Sequence, residues 1–403
     1  MKKKFLCVIL SLFVLSGCTT SSITNLSHTT GSLTLSQVSD IDPDLVKNIN
    51  DLAFKLQNSS EKNVFLSSLS IYLALAMTSH GTDAVSYDQF MSLLNPKGLD
   101  ETEWLSQLRA LQGNLNASSP VKISLSNSIW IKDAFKDQVK EDFLARNKEY
   151  FGAFIAALDF SKASSLDEIN GWVKKNTNKL IDKVLQEIDP ATVMILINTI
   201  YFKGDWSSKF DKADTKDGIF HGLSDETVKF MNQTKSYLYH ENDQRQSILL
   251  PYEGNKIGML IVMGKDNSTQ ISSNDQFLNE LNALQLSSVD LKMPKVDIAT
   301  SMKLNDSLIA LGLSDPFDSN LADFSRLAQA DLYIGKVLHK ARLIIDEEGT
   351  EAAAATTVII DVTSMPTSDH QMTVDHPFQV FIVDLENNMI LFSGSINDVN
   401  ASE

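Results

Sequence analysis

The chain has 403 residues, of which 43% are hydrophobic and 21% charged, enough apolar material for a large packed core. Its formal net charge is -16, with the acids spread along the chain, so its surface repels nucleic acid and DNA and RNA are excluded as partners.

The first residues, MKKKFLCVILSLFVLSGC, give a Lys-rich start, an apolar run from Phe5 to Leu15 and then small residues. That is a secretory signal, too short to span a bilayer as a helix. Leu15-Ser16-Gly17-Cys18 resembles the bacterial lipobox, in which small residues admit the peptidase and the cysteine thiol carries the lipid. On that resemblance residues 1–17 are removed and Cys18 is acylated, so the mature chain is held to the membrane by lipid alone. Its expected place is the cell envelope, and Thr19 after the cysteine favours the outer membrane or cell surface. Cys7 leaves with the signal and Cys18 is blocked, so no disulfide forms and stability rests on packing. Residues 18–43 are Ser- and Thr-rich and read as a flexible spacer, with order beginning near Asp42 or Pro43.

From there to about residue 115 the pattern is helical. DPDLVKNINDLAFKLQ opens on an Asp-Pro cap and repeats apolar residues at Leu45, Ile49, Leu52 and Leu56. LSIYLALAMTSHG is a buried helix ended by Gly81. VKISLSNSIWI alternates like a strand, EDFLARNKEYF is helical, and SLDEINGWVKKNTNKLIDKVL is read as one amphipathic helix. TVMILINTIYFKG is a β-rich apolar run of the kind covered on both faces. Further strands are expected in SILLPY, GMLIVM, VDLKMP, DLYIGKVLHKARLIID, FQVFIVDLE and MILFSGSI, with a helix at MKLNDSLIALG. Helices dominate the first half and strands the second, an α+β pattern. No Gly-, Pro- or Ser-rich linker interrupts residues 44–399, so residues 44–403 are read as one domain.

The sequence holds no phosphate-binding Gly-rich loop, no HExxH, no GxSxG and no CxxC; no catalytic constellation, metal site or cofactor is expected. His370 and His376, near Asp369 and Asp375, are read as solvated loop residues. His339 lies among apolar neighbours and on its own is a core histidine.

The stretch DEEGTEAAAATTVIIDVTSMP, residues 346–366, is the least ordinary part of the chain. As a helix it would carry the Ala run straight into Thr356, Thr357, Val358, Ile359 and Ile360, which disfavour helix. From Thr350 on with period two, one face carries Thr350, Ala352, Ala354, Thr356, Val358, Ile360 and Val362, and the acids of that stretch, Glu351 and Asp361, fall on the other. It reads as a strand that is not yet in a sheet.

At this point a family resemblance becomes specific. IIDEEGTEAAAATT resembles the hinge of the inhibitory serpins, and DHPFQVFIVDLENNMILFSGSI resembles the strands that follow their reactive loop. NVFLSSLSIYLALAM, LINTIYFKGDWSSKFD, KMPKVDI and LNDSLIALGLSDPF resemble further serpin motifs in the family's order. The resemblance implies a fold of three β-sheets with about nine helices and an exposed reactive loop, about residues 347–374. It also implies a monomeric inhibitor rather than an enzyme. A serine protease, and for some members a cysteine protease, takes the loop as a substrate and is trapped as an acyl-enzyme when the cut loop inserts into the main sheet.

Carried over residue by residue, the hinge is Glu347, Gly349, Thr350, Glu351, Ala352, Ala353, Ala354 and Ala355. The scissile bond falls between Thr363 and Ser364, with Val362 or Met365 as alternatives. A Val or Thr at the cut implies elastase-like or subtilisin-like targets. Ser67, Ser70, Asn198 and His339 match the hydrogen-bonded cluster under the main sheet, and Lys295 with Glu347, beside Trp206, matches the ion pair at its top. Ser68 stands where the family usually has Pro and Lys179 where it usually has Gly, which puts two local turns in question. The alternative reading is a non-inhibitory serpin-fold protein that binds partners at the surface.

Overall fold

A computed structural model describes residues 23–26, 41–57, 63–116, 120–189, 192–266, 270–350 and 368–400. The helical half holds α1 (Pro43–Leu56), α2 (Ser68–Ser79), α3 (Ala84–Leu94), α4 (Glu101–Asn116), α5 (Glu141–Phe151) and α6 (Ala163–Asn176), followed later by α7 (Asn274–Ala283) and α8 (Asn305–Ala310). In α1 the Asp42 carboxylate accepts from the Asp44 N–H and Pro43 opens the first turn. Its apolar stripe of Leu45, Ile49, Leu52 and Leu56 is buried. All residues of α2 are buried, as an apolar run without a polar face requires. Ser68 opens α2 and donates its hydroxyl to the Ile390 carbonyl at 3.3 Å; the turn is kept without proline.

The strands are β1 (Thr24–Asn25), β2 (Val64–Leu66), β3 (Lys122–Lys132), β4 (Phe154–Leu158), β5 (Met194–Asp205), β6 (Lys216–His221), β7 (Asp225–Glu241) and β8 (Arg245–Pro251). They continue as β9 (Ile257–Gly264), β10 (Gln285–Pro294), β11 (Val296–Lys303), β12 (Lys336–Ile345), β13 (Gly349–Thr350), β14 (His370–Thr373), β15 (Phe378–Asp384) and β16 (Met389–Ile396). The main sheet runs β1-β4-β3-β5-β13-β12-β11. A second network runs β14-β10-β7-β8-β9-β15-β16-β2, with β6 on β7. The expected second and third sheets are thus one continuous network. The long β7 pairs with β6 and β10 over most of its length, and with β8 at its end.

The largest core lies between the two networks around α2. A second core covers the outer face of the main sheet, where Ile169 and Val173 of α6 and then Ile181 and Leu185 pack on Trp130, Ile195 and Ile197. The helix expected through residue 185 stops at Asn176, because Asn178 and Lys179 adopt φ of 49° and 67°. Lys179 therefore keeps the left-handed turn that glycine favours, at a cost in strain. The exposed substitution Lys179→Gly should raise unfolding stability by about 1 kcal/mol, read by urea denaturation; unchanged stability would mean that the turn is not strained.

Three further expectations shift in the same local way. The strand expected from Asp331 begins at Lys336. The helix expected from Met302 begins at Asn305, since Met302 and Lys303 finish β11. The stretch 18–43 is not spacer throughout: Thr24 and Asn25 pair antiparallel with Ala157 and Ala156 at the edge of the main sheet. Ile23 packs against the outer core and Leu26 against the central one.

Candidate functional site

β5 and β12 run in parallel at the centre of the main sheet. Their direct pairing covers Ile195↔Lys336 to Thr199↔Lys340. Above it the strands part, and at the upper end β13 lies between them, Gly349 opposite Asp205 and Thr350 opposite both Gly204 and Ile345. The reversal from β12 into β13 is built by Asp346. Its N–H donates to the Gly349 carbonyl at 3.0 Å, and its carboxylate accepts from the Glu348 and Gly349 N–H groups.

Only glycine fits at 349. A Cβ there would stand 2.1 Å from the Gly204 carbonyl oxygen and 2.8 Å from the Asp205 Cα, both of them backbone of β5. Thr350 is buried and its hydroxyl meets that of Tyr252 at 2.6 Å. Tyr252 in turn stacks on Trp206, ring centroids 4.7 Å apart.

The charged frame closes around this entry. The Trp206 ring N–H donates to the Asp346 carbonyl at 2.9 Å, and its backbone N–H donates to the Glu348 carbonyl. Glu348 meets Lys209 at 2.9 Å and Lys212 at 3.1 Å. Glu347 is almost fully buried and accepts from Lys295 at 2.6 Å and from the Thr215 hydroxyl at 2.8 Å. Burial pushes the Glu347 carboxyl up, but Lys295, a backbone N–H and Thr215 outweigh it and hold the group below its ordinary 4.5.

Lys295→Met should leave that carboxylate without its countercharge and cost about 1 to 2 kcal/mol at pH 7, the half-exposed lysine keeping the figure below that of a fully buried pair. A group whose folded pKa is depressed stabilises above its unfolded pKa, so the gap between wild type and variant should narrow below pH 4.5. Urea denaturation at the two pH values checks this; a constant gap would rule out the ion pair as its source.

Lower down, where β5 and β12 are still paired, Asn127, Asn198 and His339 stand opposite one another on β3, β5 and β12. All three are buried. The N-terminus of α2 sits against them. The Ser67 N–H donates to His339 Nε2 at 3.1 Å, His339 Nδ1 meets Asn198 Oδ1 at 2.9 Å, and Asn198 donates to Asn127 Oδ1 at 2.6 Å and to the Ser70 carbonyl. Asn198 Oδ1 can only accept, so the imidazole is neutral with its proton on Nδ1. Burial pushes its pKa down to about 4. Ser67 also caps α2 by accepting from the Ser70 N–H.

The structure therefore brings Ser67, Ser70, Asn198 and His339 together, and brings Lys295, Glu347 and Trp206 to the mouth that holds Gly349 and Thr350. Asn127, Thr215, Tyr252, Lys209 and Lys212 complete these sites and were not singled out from the sequence. Cys18, Glu351, Ala352, Ala353, Ala354, Ala355, Val362, Thr363, Ser364 and Met365 lie outside the described residues. Among the described residues no group of three or more His, Cys, Asp or Glu side chains could hold a metal ion. His370 pairs loosely with Glu241 and His376 closely with Asp375. No described helix is long and apolar enough to cross a membrane.

The model of the serpin family, described as serine protease inhibitor, matches residues 47–399. The chain belongs to the serpin family. This serpin is 32% identical over 370 residues to an uncharacterised serpin-like protein of Thermococcus kodakarensis, covering 87% of this chain and 84% of that one. It is 32% identical over 364 residues to the leukocyte elastase inhibitor of Equus caballus, covering 85% and 95%. Among solved structures it is similar to the thermophilic serpin tengpin. The native state gives a TM-score of 0.85 at 29% identity, covering 94% of this chain and 100% of that one. The latent state gives 0.76 at 29% identity, covering 90% and 100%. The order agrees with the direct β5–β12 pairing, which leaves no room for an inserted strand below the mouth.

Proposed function

We propose that this serpin is an inhibitor, exported and held at the bacterial cell envelope by lipid on Cys18, that traps serine proteases of elastase-like or subtilisin-like type as a suicide substrate. The observation that carries the reading is β13. Gly349 and Thr350 already stand as an antiparallel strand between β5 and β12, above a stretch where those strands have parted.

The protease serine attacks the carbonyl of Thr363, the amine of Ser364 leaves, and the protease is joined by an ester to the chain ending at Thr363. Extension of β13 then continues downward between β5 and β12 and carries the ester with it, before water can release the enzyme. Burying Val358, Ile360 and Val362 contributes about 1.5 to 3 kcal/mol each, and each ladder hydrogen bond a net of about 0.5 to 1.5 kcal/mol. Summed, insertion gains on the order of ten kcal/mol before ordering entropy. The leukocyte elastase inhibitors among its relatives fit a Val or Thr at the cut.

Incubation with an elastase-type protease should give a complex that survives SDS, and mass spectrometry of the released peptide should begin at Ser364. Clean cleavage with continued turnover would instead favour the non-inhibitory surface binding protein.

A further inference from the structure

The direction of the strands places β1 at one particular pole. β5 runs from Met194 at the lower end to Asp205 beside the hinge. β3 is antiparallel to it and β4 parallel to β3, so Leu158 of β4 lies at the lower end. β1 is antiparallel to β4 with Thr24 opposite Ala157, and Ile23, packed in the outer core, lies nearest that lower end. The chain therefore enters the sheet from the pole opposite the hinge. The sheet is long: the 12 residues of β5 span about 36 Å.

From Cys18 to Ile23 there are only five residue steps, a reach of at most about 17 Å. We infer that β1 moors the lipid-bearing terminus at the lower pole of the main sheet, so that this pole faces the lipid surface and the reactive loop faces away from it. The inference rests on the lipid anchor proposed above. β13 is antiparallel to β5, so a loop extending it brings the trapped protease to this same pole. A protease domain is wider than the moored tether is long. The mooring must therefore yield as the trap closes, and once β1 is undocked the chain from Cys18 to Ile41 reaches about 80 Å.

Single cysteines replacing exposed Ser164, at the lower end, and exposed Ala213, beside the hinge, can carry a fluorophore in the lipidated full chain, whose Cys18 is blocked. On vesicles containing nitroxide-headgroup lipid, the label at Ser164→Cys should lose its emission and the label at Ala213→Cys should keep it. About twenty Gly/Ser residues inserted between Ser22 and Ile23 should abolish the difference. Equal quenching at the two sites, or a difference that survives the linker, overturns the mooring. Reaction with an elastase-type protease should restore emission at position 164, and a covalent complex in which it stays dark overturns the release. A chain that does not sediment with membranes overturns the anchor, and with it the orientation. The docking of β1 is read separately, by hydrogen exchange on the Cys18→Ser chain. The Leu26 amide, bonded to the Ile155 carbonyl at 2.9 Å, should exchange about a hundredfold slower than an open peptide, and an unprotected amide overturns the docking.

Discussion

Under the proposed trapping mechanism, Gly349→Val should convert this serpin from an inhibitor into a substrate. The new Cβ would stand 2.1 Å from the Gly204 carbonyl oxygen and 2.8 Å from the Asp205 Cα, and no choice of rotamer moves a Cβ. β5 cannot give way freely at this point. The Asp205 carbonyl accepts from the Glu253 N–H, and the Trp206 ring that follows is stacked on Tyr252. The chain at 349 must leave the sheet instead, taking with it the pairing of Thr350 to Gly204 and Ile345 and its hydroxyl contact with Tyr252.

The native state loses little, about 1 to 3 kcal/mol for a few ladder and hydroxyl bonds, so the variant should still fold. The trap loses its first step, and hydrolysis of the acyl-enzyme then wins the race. The ratio of cleaved chain to covalent complex should rise at least about tenfold, since a barrier increase of about 1.4 kcal/mol on insertion already shifts the partition by that factor. Titration against an elastase-type protease, with SDS gels scoring complex against cleaved chain, is the measurement. A Gly349→Val chain that inhibits at wild-type stoichiometry would show that insertion does not begin at this gap.

The parts legible from the sequence are those whose signal is local. The all-apolar run of α2 and the double-sided apolar run of β5 leave few alternatives, and of the hinge read as a strand Gly349 and Thr350 are described and pair as β13. β7 escaped notice because it carries no sustained alternation: a polar run from Asn232 to Ser236 separates its apolar positions, and what orders it is pairing with β6, β8 and β10 from other parts of the chain. Asn127 escaped for the same reason. In SLSNS it looks like a solvated strand residue, and only the register that sets it opposite Asn198 makes it part of the buried cluster. The helix through Lys179 was overextended because its amphipathic pattern continues past the point where two left-handed residues turn the backbone. β1 was read as spacer because two residues of Ser- and Thr-rich chain carry no periodicity, while the open edge of β4 that receives them is invisible in the sequence.

His339 should make the seam between β5 and β12 sensitive to acid. In the folded chain its pKa is pushed by burial from the ordinary 6.5 down to about 4. The unfolded chain therefore binds a proton that the native chain refuses, and stability falls as pH drops from about 6.5 to about 4, then levels off where both states are protonated. The span corresponds to about 3 kcal/mol, a large share of the stability of a folded domain. Geometry gives the same sign. A proton on Nε2 would face the Ser67 N–H, donor against donor, at a position where β12, β5 and α2 meet. His339→Gln keeps polar atoms in the site but does not titrate. It should be less stable than wild type at pH 7.5 by about 1 to 3 kcal/mol, and the difference should shrink as the pH is lowered to 4.5. Urea denaturation of both chains across this range, with loop insertion followed by the rise in thermal stability after cleavage, provides the check. A wild-type chain whose stability runs parallel to that of His339→Gln through the whole range would show that His339 is not the source of acid sensitivity at this seam.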